Sequence, residues 1–113
     1  MKPGKRNNKL SPFVALTREM LKNPAWRSGL SSSAKVLYIH LKYKFVGYNN
    51  GEICLHYSEL EDLMASATIS RAFRELEAKD WIIRERQAGG QYRFTVYYRL
   101  SGKHDNAIRR FNL

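Results

Sequence analysis

Thr68-Ile69-Ser70-Arg71-Ala72-Phe73-Arg74-Glu75-Leu76-Glu77-Ala78-Lys79-Asp80-Trp81-Ile82 is the stretch whose reading decides the fold. At about 100° per residue, Ile69, Ala72, Phe73 and Leu76 share one stripe, and Ala67, Ser70, Arg71, Arg74 and Ala78 lie opposite. The spacing predicts a helix over 66–79 whose outer face is small, polar and basic. From Trp81 the period changes from helical to alternating. Residues 82–86 and 92–100 read as two strands around a turn at Ala88-Gly89-Gly90-Gln91, a β-hairpin. On the second strand Tyr92, Phe94, Val96, Tyr98 and Leu100 share one face, leaving Arg93, Thr95, Tyr97 and Arg99 on the other.

Upstream of this stretch, Ser58 and Glu61 have capping-box spacing, which predicts a short helix carrying Leu60, Leu63 and Met64. A brief break at Ala65-Ser66-Ala67 separates it from the helix described above. Before it, Asn49-Asn50-Gly51 is a turn, and Ile53, Leu55 and Tyr57 alternate with Glu52, Cys54 and His56 as in a half-buried strand. Ser31, Ser32 and Ser33 offer caps for a helix over 32–46 with two apolar stripes. One holds Ala34, Leu37, Tyr38, Leu41 and Phe45, and the other Val36, Ile39, Tyr43 and Val46. Phe13, Leu16, Met20 and Leu21 predict a further helix over 13–21, ending before Asn23-Pro24 because the residue before proline avoids helical dihedrals.

Helix, helix, strand, helix, short break, helix and hairpin is the order of an α+β winged helix-turn-helix: N-terminal helices, a three-helix core and a C-terminal hairpin as wing. Residues 68–82 also resemble the recognition-helix signature of bacterial winged helix-turn-helix proteins, in which Thr-Val-Ser-Arg-Ala-Leu-Arg-Glu-Leu-Glu leads into a glycine and the start of the wing. Less specifically, Asn23-Pro24-Ala25-Trp26, Leu30-Ser31-Ser32-Ser33-Ala34-Lys35 and Asn49-Asn50-Gly51-Glu52-Ile53 look like the N-terminal half of small winged-helix proteins of phages, plasmids and bacterial genomes. The resemblance implies DNA binding in transcription control or replication initiation. The sequence departs from the pattern twice: the turn between the two helices lacks its glycine, and Asp80 stands where the family has glycine.

Charge and composition point the same way. The 113 residues carry a net charge of +10, which calls for a polyanionic partner. Residues 1–27 hold seven Lys and Arg against Glu19, a net +6, and residues 28–102 a net of only +2. Residues 1–11 read as a flexible basic arm with Lys2, Lys5, Arg6 and Lys9, residues 12–101 as the winged-helix domain, and residues 102–113 as a polar tail. On the predicted recognition helix Ser66, Ala67, Thr68, Ser70, Arg71 and Arg74 are the candidate DNA contacts. Arginine can donate twice to guanine in the major groove, serine reaches base edges or phosphate, and alanine lets the helix approach closely. The bland alternative is a solvated face in which Arg71 pairs with Glu75 and Arg74 with Glu77. On the wing Arg84, Arg86, Gln91 and Arg93 are candidate contacts to phosphate or the minor groove.

Other classes find less support. His40, His56 and His104 are scattered, and Cys54 has no predicted base beside it, so neither an enzyme nor a metal site is expected, and no cofactor. No apolar run approaches the ~20 residues needed to span a bilayer, and a single cysteine excludes an internal disulfide; a cytoplasmic protein is expected. The expected partner is double-stranded DNA, with no membrane. The second apolar stripe of the 32–46 helix is covered either by the N-terminal segment or by a second copy in a homodimer. The rival reading makes that helix the contact of a winged-helix protein-interaction module in a replication or regulatory complex.

Overall fold

A computed structural model of the chain describes residues 13–89 and 94–110. It is an α+β fold of five helices and one two-stranded antiparallel hairpin: α1 (Arg18–Lys22), α2 (Pro24–Arg27), α3 (Ser32–Lys44), α4 (Ser66–Ala78), β1 (Ile82–Gly89), β2 (Phe94–Leu100) and α5 (Asn106–Arg109).

The helix expected over 13–21 is shorter and starts later. Thr17 caps α1, its hydroxyl accepting from the Met20 amide at 3.1 Å, and Phe13, before the helix, lies 71% exposed. Asn23 ends α1 and opens α2, where Pro24 sits in the first turn and the Asn23 side chain accepts from the Ala25 amide. Ser31 caps α3 as expected, accepting from the Ala34 amide at 3.1 Å. The helix expected over 32–46 ends at Lys44, where Phe45 turns extended; of the two expected stripes Ala34, Leu37, Tyr38 and Leu41 are buried, Phe45 and Ile39 pack half-buried against the core, and Val36, Tyr43 and Val46 are exposed. After α3 the Asn49 side chain closes a turn, donating to the Lys44 carbonyl and accepting from the Val46 amide, both at 2.9 Å.

The strand expected over residues 52–57 is reduced to one antiparallel bridge, Ile53 to Tyr98. Its neighbour along β2 is taken by a side chain: Asn50 donates to the Leu100 carbonyl and accepts from its amide, replacing a backbone partner. The helix expected from Ser58 is likewise a 3₁₀ turn at Tyr57–Glu59 followed by further turns. Glu59 rather than Glu61 reaches back, its carboxylate accepting from the His56 amide at 3.0 Å while Lys44 holds its other oxygen at 2.5 Å. Burial of Leu60 anchors this segment, and Leu63 remains exposed.

Helix α4 buries Ile69, Ala72, Phe73 and Leu76, the stripe expected from its period. It stops in a Schellman motif: the Asp80 amide donates to the Glu77 carbonyl and the Trp81 amide to that of Leu76. Asp80 carries φ of 63°, so it fills the left-handed position that glycine usually takes. Trp81 then enters the core against Tyr38, ring centroids 5.0 Å apart, and against Trp26 at 5.6 Å.

Strand β1 runs three residues further than expected, through Gly89, which pairs with Phe94. A bulge between Arg84 and Arg86 turns Glu85 toward Arg99, 2.6 Å away. Beyond β2 the chain packs back onto α3. Ile108 is buried, and so is Asp105, which accepts from the Tyr38 hydroxyl at 2.6 Å and pairs with the buried Lys42 at 2.9 Å. The Lys42 ammonium also donates to the Ala15 carbonyl, so one buried ion pair joins the segment before α1, α3 and the segment before α5.

Candidate nucleic-acid interface

Helix α4 presents a continuous outer face. Ser66, Ala67, Arg71 and Arg74 are exposed, and Thr68 and Ser70 are half-buried beside them. The face is held in place from behind: Glu75 accepts from both the amide and the hydroxyl of Ser31, at 2.8 and 2.7 Å, and from Lys79 at 3.4 Å. Burial pushes the Glu75 carboxyl up, but the two Ser31 hydrogen bonds and the Lys79 ammonium outweigh it and leave the group below its ordinary value. This contact removes Glu75 as a partner for Arg71.

Neither arginine of the face has a carboxylate within salt-bridge distance among the described residues. Arg71 donates to Thr68 at 3.4 Å and Arg74 to Ser70 at 2.8 Å, each one turn back along the helix. Glu77, the expected partner of Arg74, pairs with Arg84 of the hairpin instead. The pairing foreseen for a merely solvated face is therefore absent, although most acids of the chain do find cations elsewhere. Glu61 and Asp62, a few residues before α4 in the chain, are both exposed.

The hairpin residues divide. Arg84 is tied to Glu77 at 3.4 Å, and Arg86 to Glu52 at 2.8 Å, with its guanidinium 3.9 Å from the Tyr97 ring centroid. Both have another partner that a phosphate would have to displace. Gln91 and Arg93, and the arm residues Lys2, Lys5, Arg6 and Lys9, lie outside the described residues.

Between α4 and the hairpin opens a groove of about 440 Å³, with Ser70 and Arg74 on one wall, Arg84 and Gln87 on the other, and Tyr57 at its side. Three rings line up beneath it. Tyr57 stacks on Phe73 (centroids 6.0 Å apart, planes 8° apart) and Phe73 on Tyr98 (5.1 Å, 17°). The Tyr98 hydroxyl is pushed up to about 12 by burial first and the Glu77 charge second, against the lowering effect of Arg84. Sequence reading placed Tyr57 on a strand and did not associate it with α4. Tyr57 instead opens the 3₁₀ turn, a short element without periodicity, so no sequence signal places it against α4.

Cys54 lies beside this groove with Sγ 3.5 Å from His56 Nε2. Burial, aided by Glu59, pushes the thiol up from its ordinary value, so it is held as a thiol rather than a reactive thiolate. Among the described residues no three His, Cys, Asp or Glu side chains gather as metal ligands, and no helix is long and apolar enough to cross a membrane. No protein-family model, curated protein or solved structure matches this chain.

Proposed function

We propose that this is a winged-helix protein that binds double-stranded DNA by sequence, with α4 in the major groove and the hairpin as a wing on the backbone. One observation carries the reading: Arg71 and Arg74 project from a small-residue helix face with no carboxylate partner among the described residues, in a chain where Glu52, Glu59, Glu75, Glu77 and Glu85 are all engaged by cations elsewhere. Two guanidiniums without a carboxylate partner among the described residues, beside Ser66, Ala67, Thr68 and Ser70, match the chemistry of base-edge readout, in which arginine donates twice to guanine and small neighbours allow close approach. Arg84 and Arg86 exchange a carboxylate for a phosphate on binding, while Gln91, Arg93 and the basic arm add backbone contacts. The module acts in transcription control or replication initiation, in the cytoplasm, without catalysis or cofactor.

Arg71→Ala and Arg74→Ala test it. Each lowers the preference for the best duplex, selected from a random library, over random duplex by about 1–3 kcal/mol, with folding unchanged because both side chains face solvent. Equal loss on selected and random duplex makes that arginine a phosphate contact, and absence of duplex binding by the folded wild type overturns the reading.

A second reading is favoured by Val36 and Tyr43, exposed on α3, and Val46, exposed just beyond its end, with Tyr43 66% exposed: an interaction module, or a homodimer meeting through this face. A folded chain that ignores duplex DNA at low salt supports the interaction module.

A further inference from the structure

We propose that the groove between α4 and the hairpin is a binding site for one nucleotide unit, its base stacked on Tyr57 and its phosphate held by Arg74 and Ser70 with Arg84 opposite. The stack supplies the first half. Tyr98 and Phe73 are buried, but Tyr57, the end ring of three nearly parallel rings, is 43% exposed. One of its faces is covered by Phe73, so the exposed part of the ring offers a planar ligand the next place in the stack. Ring stacking of this kind accepts any base, because every base has a π-face.

Charge supplies the second half. Arg74 has no carboxylate partner among the described residues, and its guanidinium already bonds Ser70 Oγ at 2.8 Å, which fixes two donors on one wall. Arg84 faces them from the hairpin, held at a long 3.4 Å by Glu77. Two guanidiniums against one carboxylate leave the groove cationic, and its size of about 440 Å³ lies in the range of small-ligand sites. A planar ring joined to an anion is what both features ask for together. A free mononucleotide offers that chemistry, and so does an unstacked nucleotide within a strand.

This goes beyond duplex recognition, since it requires binding when no duplex is present. Ser70 and Arg74 serve both, so a nucleotide in the groove and duplex on α4 exclude each other.

Amide NMR spectra of the full chain, titrated with AMP, adenosine and ribose 5-phosphate, test the proposal. AMP should give saturable shifts at Tyr57, Ser70, Arg74 and Arg84, with affinity about tenfold above that of either half. Tyr57→Phe, which keeps the ring, retains binding; Tyr57→Leu, which fills the same space over Phe73 without the ring, loses about tenfold, as does Arg74→Ala. A parallel titration with a short single strand separates the sources: the strand binding tighter than AMP through the same four residues makes the ligand a strand nucleotide, and AMP binding at least as well makes it a free one. No saturable shift at these residues with either ligand overturns the proposal, and that wild-type map decides alone if Tyr57→Leu does not fold. So does a Tyr57→Leu protein that is folded and binds as before. Loss of duplex binding with the AMP shifts intact refutes the DNA reading and leaves this site standing; the converse result refutes the site alone.

Discussion

Replacing Asp105 by Asn removes one charge from the interior and one of two acceptors, since one carboxylate oxygen faces Tyr38 and Lys42 and the other accepts from the Ala107 amide at 3.2 Å. The amide keeps the size of the carboxyl and can offer its oxygen to the Tyr38 hydroxyl, 2.6 Å away, but its NH2 then meets the Ala107 amide, and the Lys42 ammonium loses the one carboxylate it pairs with among the described residues, at 2.9 Å. Both side chains of the pair are almost fully buried, 4% and 1% exposed, so water cannot replace the missing anion. Breaking a buried pair from one side costs about 3–5 kcal/mol, and the Ala15 carbonyl that Lys42 retains places Asp105→Asn at about 3 kcal/mol, the lower end. Lys42→Met added to Asp105→Asn recovers most of that, because it keeps the buried stem and deletes the stranded charge. Urea unfolding followed by the fluorescence of Trp26 and Trp81, both in the core, reads the effect as a midpoint lowered by about 1–3 M. A single variant within about 1 kcal/mol of wild type, or a double variant less stable than the single, refutes a buried pair that clasps the two ends of the fold.

Asp80→Val should cost about 1–2 kcal/mol, measured by thermal or urea unfolding, because a β-branched residue strains at the φ of 63° that ends α4, whereas Asp80→Gly should cost nothing comparable. Glu75, held below its ordinary 4.5 by Ser31 and Lys79, contributes stability that is present above that value and lost as pH falls through the lowered one. Glu75→Gln should therefore destabilise the protein at neutral pH and flatten the fall in its urea midpoint on acidification; an unchanged acid profile would exclude the Ser31 contact from the fold.

Where the sequence was informative, the cause is local. Residues 66–79 carry a helical stripe, and 82–100 an alternation around a glycine turn, so α4, β2 and the first part of β1 could be read directly. Elements set by partners far along the chain could not. Lys42 and Asp105 look like surface charges until their 2.9 Å contact is seen, which is why residues 102–113 read as a polar tail although Asp105 and Ile108 within it are buried. The expected strand over 52–57 shrinks to one bridge because Asn50 takes the Leu100 backbone with its side chain, a choice no alternation pattern records. The capping box moved from Ser58 and Glu61 to His56 and Glu59 because Lys44, on α3, holds Glu59. On the candidate interface, Ser70, Arg71 and Arg74 were legible from helical geometry alone. The carboxylate partners of Arg84 and Arg86, Glu77 and Glu52, were not, and neither was the groove, which three separate segments assemble.

Duplex affinity measured across a salt series tests the central claim most directly. If α4, the hairpin and the basic arm together neutralise about five phosphates, the logarithm of the association constant falls against the logarithm of salt concentration with a slope of about −4 to −5. A salt-independent or undetectable association of the folded chain with duplex DNA would contradict the account.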